Sequence, residues 1–113
     1  MEFIEQFLTE TAEILQRLDR DAVNAIVRLV AETRDGGGRI FFLGSGGGAG
    51  HASHAVNDFR LLAGISSFTP TDNVSELTAR INDAGWESAY ASWLEQFVPT
   101  ARDLVFVFSV GGG

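Results

Sequence analysis

The stretch RIFFLGSGGGAGHASHAVNDF, residues 39–59, most constrains what this chain can fold into. It joins an apolar run to a loop in which five of the seven residues from Gly44 to Gly50 are glycine, followed by a helical pattern carrying both histidines of the chain. The run 39–43 has no polar alternation and is bounded by glycine on both sides, as expected of a strand covered on both faces. A strand that passes through glycines into a helix is half of a parallel β-α-β unit, and parallel strands need helical crossovers. The rest of the chain therefore has to supply helices.

It does. Residues 2–18 set Ile4, Phe7, Leu8, Thr11, Leu15 and Leu18 at helical spacing, with Phe3 and Ile14 widening the stripe. A second helix starts at Asp19 or Asp21, carries Val23, Ile26, Val27 and Val30, and ends at DGGG, 35–38. The two stripes are broad for an isolated hairpin: they are buried against the same domain or form a subunit interface. After the glycine loop a helix runs from Gly48 or Ala49 to Leu62. A weaker strand, SSFTPT (66–71), follows, with Pro70 at its end or edge. A helix over 72–85 is capped by Asp72 or Asn73, with Glu76 completing a capping box. Another, over 86–98, carries Trp86, Tyr90, Trp93, Leu94 and Phe97 and is closed by Pro99. DLVFVFSV (103–110) is the most strand-like segment, and glycines 111–113 end the chain.

The order αα then β-α-β-α-α-β predicts an α/β fold with a parallel sheet and right-handed crossovers. LVFVFSV lacks polar alternation and should be covered on both faces and hydrogen-bonded on both sides. With three strands it would be an exposed apolar edge. The expectation is thus a single domain over 1–113 that is incomplete, with a helical hairpin over 1–36 and the first part of the sheet over 37–113. Further β-α units would follow the third strand, or a partner chain would complete the sheet.

Composition narrows the function. With 113 residues the chain is one domain's worth, and 45% of them are hydrophobic. The formal charge is −7, there is no lysine, and the arginines are scattered singly, which argues against a nucleic-acid ligand. No apolar run is long enough to span a membrane and no secretory leader is recognisable. Without cysteine there is neither a disulfide framework nor a thiolate zinc site. A cytoplasmic protein is the expectation.

A strand, a glycine turn and a helix start make a standard anion site, because bare amides and the helix N-terminus face the ligand. GSGGGAG lacks the Lys-Ser/Thr ending of a nucleotide P-loop. As Gly44-x-Gly46-x-x-Ala49 it is a weak dinucleotide fingerprint, with Asp72 an ambiguous ribose-binding acid. A tight turn for strand–helix packing remains the other reading. His51, His54 and Asp58 share one helix face; His54 and Asp58, four apart, can ligate one divalent cation. Taken alone, that pair reads first as an ordinary solvated surface.

RIFFLGSGGGAGHASHAVNDF, NDAGW (82–86) and DLVFVFSVGGG together resemble the sugar isomerase (SIS) family, in its phosphoheptose isomerase subgroup. The resemblance runs the length of the chain and reaches only the N-terminal half to two-thirds of such a protein. It implies a flavodoxin-like three-layer parallel sheet, a homotetramer assembled through the N-terminal helices, and an active-site zinc. The activity it implies is aldose–ketose isomerisation of a phosphorylated sugar, sedoheptulose 7-phosphate to D-glycero-D-manno-heptose 7-phosphate. By position, His54 falls on a metal ligand and Asp58 on a glutamate that ligates metal and transfers protons. Gly44, Ser45, Gly46, Gly47 and Gly48 fall on the first phosphate loop, Ser109 on the start of the second, and Asp83 on a substrate contact. The family's later glutamine and histidine have no counterpart up to Gly113, so the 113 residues alone are expected to be inactive.

The departures concern the same loops. Ser45 and Gly48 stand where the family usually has Asn and Ser, and Val110 and Gly111 stand where it has Thr and Ser. Each hydroxyl lost to a phosphate removes roughly 1.5–3 kcal/mol of charge-assisted bonding. Asp58 is one methylene shorter than glutamate. A non-catalytic SIS module binding a sugar phosphate or a protein such as a replication initiator is the alternative. A nucleotide-binding Rossmann half is weaker, given the incomplete fingerprint and the two leading helices.

Overall fold

The structure is a computed structural model that describes residues 2–111. Its elements are α1 (Glu2–Gln16), α2 (Arg20–Asp35), β1 (Ile40–Leu43), α3 (Gly47–Ala63), β2 (Ser67–Phe68), a 3-10 turn (Pro70–Asp72), α4 (Val74–Ala84), α5 (Ala89–Glu95) and β3 (Leu104–Val107). The strands form one parallel sheet in the order β2-β1-β3.

The central strand sets the layers. Ile40, Phe41 and Phe42 are fully buried. Alternation sends Ile40 and Phe42 into one core with Ala52 and Val56 of α3 and with Ile65. Phe41 goes to the other face, against Phe68, Trp93 and Phe97 at centroid distances of 5.9, 5.9 and 5.1 Å. Phe41 and Trp93 are buried and Phe68 and Phe97 half-buried; full burial of a ring such as Phe41 contributes roughly 1.5–3 kcal/mol, so β1 holds the two helical layers together.

Local signals place the helix starts. Asp19 accepts from the Ala22 amide at 2.9 Å and Asn73 from the Glu76 amide at 3.0 Å. The capping box is only half made: the Glu76 carboxylate turns to Arg80 and Gln96. The second strand is shorter than its sequence pattern, because Pro70 opens a 3-10 turn directly after Phe68 and Thr69. The fifth helix starts only at Ala89.

One expectation fails. Burial of the α1 stripe within the domain does not occur, since α1 buries no residue and shares no extensive packing with any element; α2 buries only Thr33 and packs the half-buried Val30 against the core. Phe3, Ile4, Phe7, Leu8 and Ile14 are at least half exposed. The radius of gyration, 16.8 Å, exceeds the about 13 Å of a compact domain of this length because α1 projects. As expected of this segment in a three-stranded sheet, β3 is an edge: among the described residues it is bonded on one side only, to β1, and leaves Val105 and Val107 exposed.

The lower end of the sheet is locked by charge. Asp103, just before β3, accepts from the Arg39 amide at 2.8 Å, the Arg39 guanidinium at 2.8 Å and the Thr100 amide at 2.8 Å. The hydrogen-bonded Arg39 guanidinium, helped by these amides, holds the Asp103 carboxyl at a pKa of about 2. Arg39 also bonds the Phe97 carbonyl and lies over the Phe41 ring.

Candidate functional site

At the upper end the strands finish in glycine rather than charge. After Leu43 the chain turns so tightly that a Cβ on Gly44 would lie 2.2 Å from the Gly48 carbonyl oxygen. Gly46 has φ 56° and ψ −119°, a conformation that side-chain-bearing residues avoid. This geometry leaves the amides of Ser45, Gly46 and Gly47 without a partner among the described residues, while the Gly48 amide closes the turn on the Ser45 carbonyl at 2.9 Å. Bare amides at the start of a 17-residue helix carry partial positive charge.

The sheet order fixes where the site lies. The chain leaves β1 toward β2 on one side and returns to β3 on the other, so the crevice above β1 and β3 is the topological switch point of the sheet. An open cleft of about 520 Å³ lies there, within the size range of small-molecule sites. Gly44, Ser45, Gly47 and Gly48 line one side, and Phe108, Ser109, Val110 and Gly111 the other. Of the closing glycine run, Gly112 and Gly113 lie outside the described residues. Gly48 has its own packing reason to lack a side chain: a Cβ there would meet the Phe108 carbonyl oxygen at 3.0 Å.

Four of the five first-loop glycine-turn residues and Ser109 are thus brought together, with Gly46 at the crest beside them. The other sequence candidates lie outside the lining. On α3 His54 is exposed and Asp58 half-buried, with Nε2 to Oδ2 3.2 Å apart. That separation is close to the ~3.3 Å between two corners of a tetrahedron with 2.0–2.1 Å zinc bonds, so the donor pair fits two positions of a zinc site. Among the described residues no group of three or more His, Cys, Asp or Glu is gathered around a common point. Asp83, exposed near the end of α4, accepts from its neighbour Asn82 at 3.2 Å. Asp72 is held by the Ser53 hydroxyl at 2.7 Å. His51 is exposed, with its ring 6.0 Å from that of Phe108.

One lining residue with a polar side chain was not among the sequence candidates. Tyr90 of α5 donates its phenol O–H to the Gly44 carbonyl at 2.7 Å, and burial raises its pKa. In sequence it is one more apolar position of its helix. A hydroxyl among otherwise apolar stripe residues was the one available signal.

The fold and cleft define a parallel α/β domain with a cleft at its topological switch point. The gonococcal phosphoheptose isomerase GmhA (Neisseria gonorrhoeae) superposes with a TM-score of 0.77 over 96% of this chain and 60% of that one, at 23% identity, and shows the shared fold. The chain is also 27% identical to phosphoheptose isomerase from Chlorobium phaeovibrioides, over 85% of this chain and 50% of that protein. It is 30% identical to the Helicobacter pylori phosphoheptose isomerase, over 95% of this chain and 59% of that protein. No family model matches. These similarities to phosphoheptose isomerases agree with the resemblance read from its loops, and the chain spans about half the length of the curated relatives it matches.

Proposed function

We propose that this chain is the sugar-phosphate-binding part of a cytoplasmic aldose–ketose isomerase, with sedoheptulose 7-phosphate as substrate and D-glycero-D-manno-heptose 7-phosphate as product. The observation that carries the reading is the amide-lined cleft at the switch point, in a chain whose relatives are named phosphoheptose isomerases. The cytoplasmic setting rests on an acidic, cysteine-free composition and on the absence, among the described residues, of a helix long and apolar enough to cross a membrane.

The amides of Ser45, Gly46 and Gly47 take the phosphate oxygens, and Ser109 faces them across the cleft. In this reading Asp58 accepts the proton from the carbon beside the substrate carbonyl as the enediol forms, and Asp83 orients a sugar hydroxyl. His54 and Asp58 would hold the zinc, which when bound polarises a substrate oxygen as a Lewis acid. Two measurements test this. The 113 residues alone should bind sedoheptulose 7-phosphate without converting it, whereas a longer chain that carries the glutamine and histidine should yield the heptose phosphate; no turnover by that longer chain, with the sugar phosphate still bound, would leave a binding module. Elemental analysis should find less zinc in His54→Ala, and unchanged zinc would remove His54 from the ligand set.

The partner of α1 and α2 is proposed to be further copies of this chain, assembled as a tetramer. Apolar positions exposed along two consecutive helices support that reading, since a lone helix as short as α1 is marginal in water. Light scattering reporting a monomer would refute it.

A further inference from the structure

The two sides of the cleft are built by backbone, yet one side chain from a distant element grips the first loop. Tyr90 and Gly44 are 46 positions apart, and their 2.7 Å bond ties α5 to the turn between β1 and α3. The rest of α5 is anchored to make this grip rigid. Ala89 and Trp93 are buried, Trp93 meets Phe41 edge-on, and the Tyr90 ring packs edge-on against Trp86 at 5.3 Å.

The bond has a directional consequence. In a planar trans peptide the C=O and the following N–H point in opposite directions. Pinning the Gly44 carbonyl toward Tyr90 therefore fixes the Ser45 amide pointing away from it. Ser45 is the first residue of the bare-amide run, and Gly44, Ser45 and Tyr90 all line the cleft. Glycine on both sides of Ser45 gives that peptide unit freedom to rotate, so an external restraint is needed to hold one orientation.

We propose that Tyr90 is a positioning residue for the anion loop: its phenol latches the Gly44 carbonyl and thereby aims the Ser45 amide at a bound phosphate group. Burial keeps the phenol protonated, so the latch holds across the neutral range. The inference rests on the cleft being an anion site, and it names a side chain that the loop motif alone does not contain.

The test is a titration of the isotopically labelled chain with inorganic phosphate, followed through the amide resonances of residues 44–50, in the unaltered protein and in Tyr90→Phe. The substitution removes only the hydroxyl and keeps the ring. Expected are phosphate binding by the unaltered chain, a loss of affinity of about fivefold or more in the variant, an unchanged melting temperature, and faster hydrogen exchange at the Ser45 amide. Equal affinities would overturn the latch and leave the amide cradle standing. Lost affinity accompanied by a fall in melting temperature would also overturn it, because the hydroxyl would then serve the fold at large. If the unaltered chain did not bind phosphate, the anion reading would fail and the latch's role toward a ligand with it.

Discussion

The two ends of the β1–β3 pair are built in opposite ways. At the lower end a charged side chain gathers the polar groups: Asp103 collects the Arg39 guanidinium and two backbone amides, and its own side chain is 5% exposed. At the upper end glycines remove side chains, amides are left bare, and the surface is an open cleft. One end uses its polar groups on itself and so contributes stability. The other withholds them from the fold and so can offer them to a ligand. The same two strands carry both, which is how a short sheet combines a rigid base with a binding edge.

The largest effect is expected at the lower end. Asp103→Ala should cost about 2–3 kcal/mol in urea unfolding, because it leaves the Arg39 side chain and two amides without their acceptor, while phosphate affinity of the folded fraction stays the same. A loss of both would show the two ends to be coupled. Acid probes the same group without a mutation. Asp103 is depressed to about 2 in the fold, so its stabilisation is full above the ordinary carboxylate range near 4 and fades as pH falls toward 2. Urea midpoints measured from pH 6 down to pH 2 should fall over that window in the unaltered chain and change less in Asp103→Ala.

Gly46→Ala should invert the pattern. A side chain at φ 56°, ψ −119° strains the backbone by about 1–3 kcal/mol. The loop can relax to avoid it, so stability should fall little while phosphate affinity drops roughly tenfold. Affinity unchanged in an amide-shift titration would remove the loop from the site. The smallest effect is expected from Val110→Ser, which returns a hydroxyl to the cleft. Val110 is exposed and lines the site, so stability should hold and phosphate should bind up to about threefold more tightly by calorimetry. No gain would mean that the backbone alone sets the affinity on that side.

How much was legible in sequence follows the same division. Strand β1, its glycine turn and the caps at Asp19 and Asn73 depend on residues within a few positions of each other, and they are found as read. The short β2 and the late start of α5 were not legible, because apolar runs near Pro70 and Trp86 do not specify where pairing or helix packing begins. The Arg39–Asp103 lock joins residues 64 positions apart and leaves no local pattern. His54 and Asp58 were placed by spacing and are found 3.2 Å apart on one helix face.

The sequence by itself determined the parallel α/β class, the bare-amide turn after β1 and the helix face that pairs His54 with Asp58, since each follows from backbone periodicity and glycine's lack of a side chain. Only the tertiary structure decided that β1 lies between β2 and β3, which puts the glycine turn at a switch-point cleft, and that α1 finds no cover among the described residues. It also decided that Tyr90 reaches Gly44. Those outcomes depend on which distant surfaces meet, and packing between elements far apart in the chain is what a linear pattern does not encode.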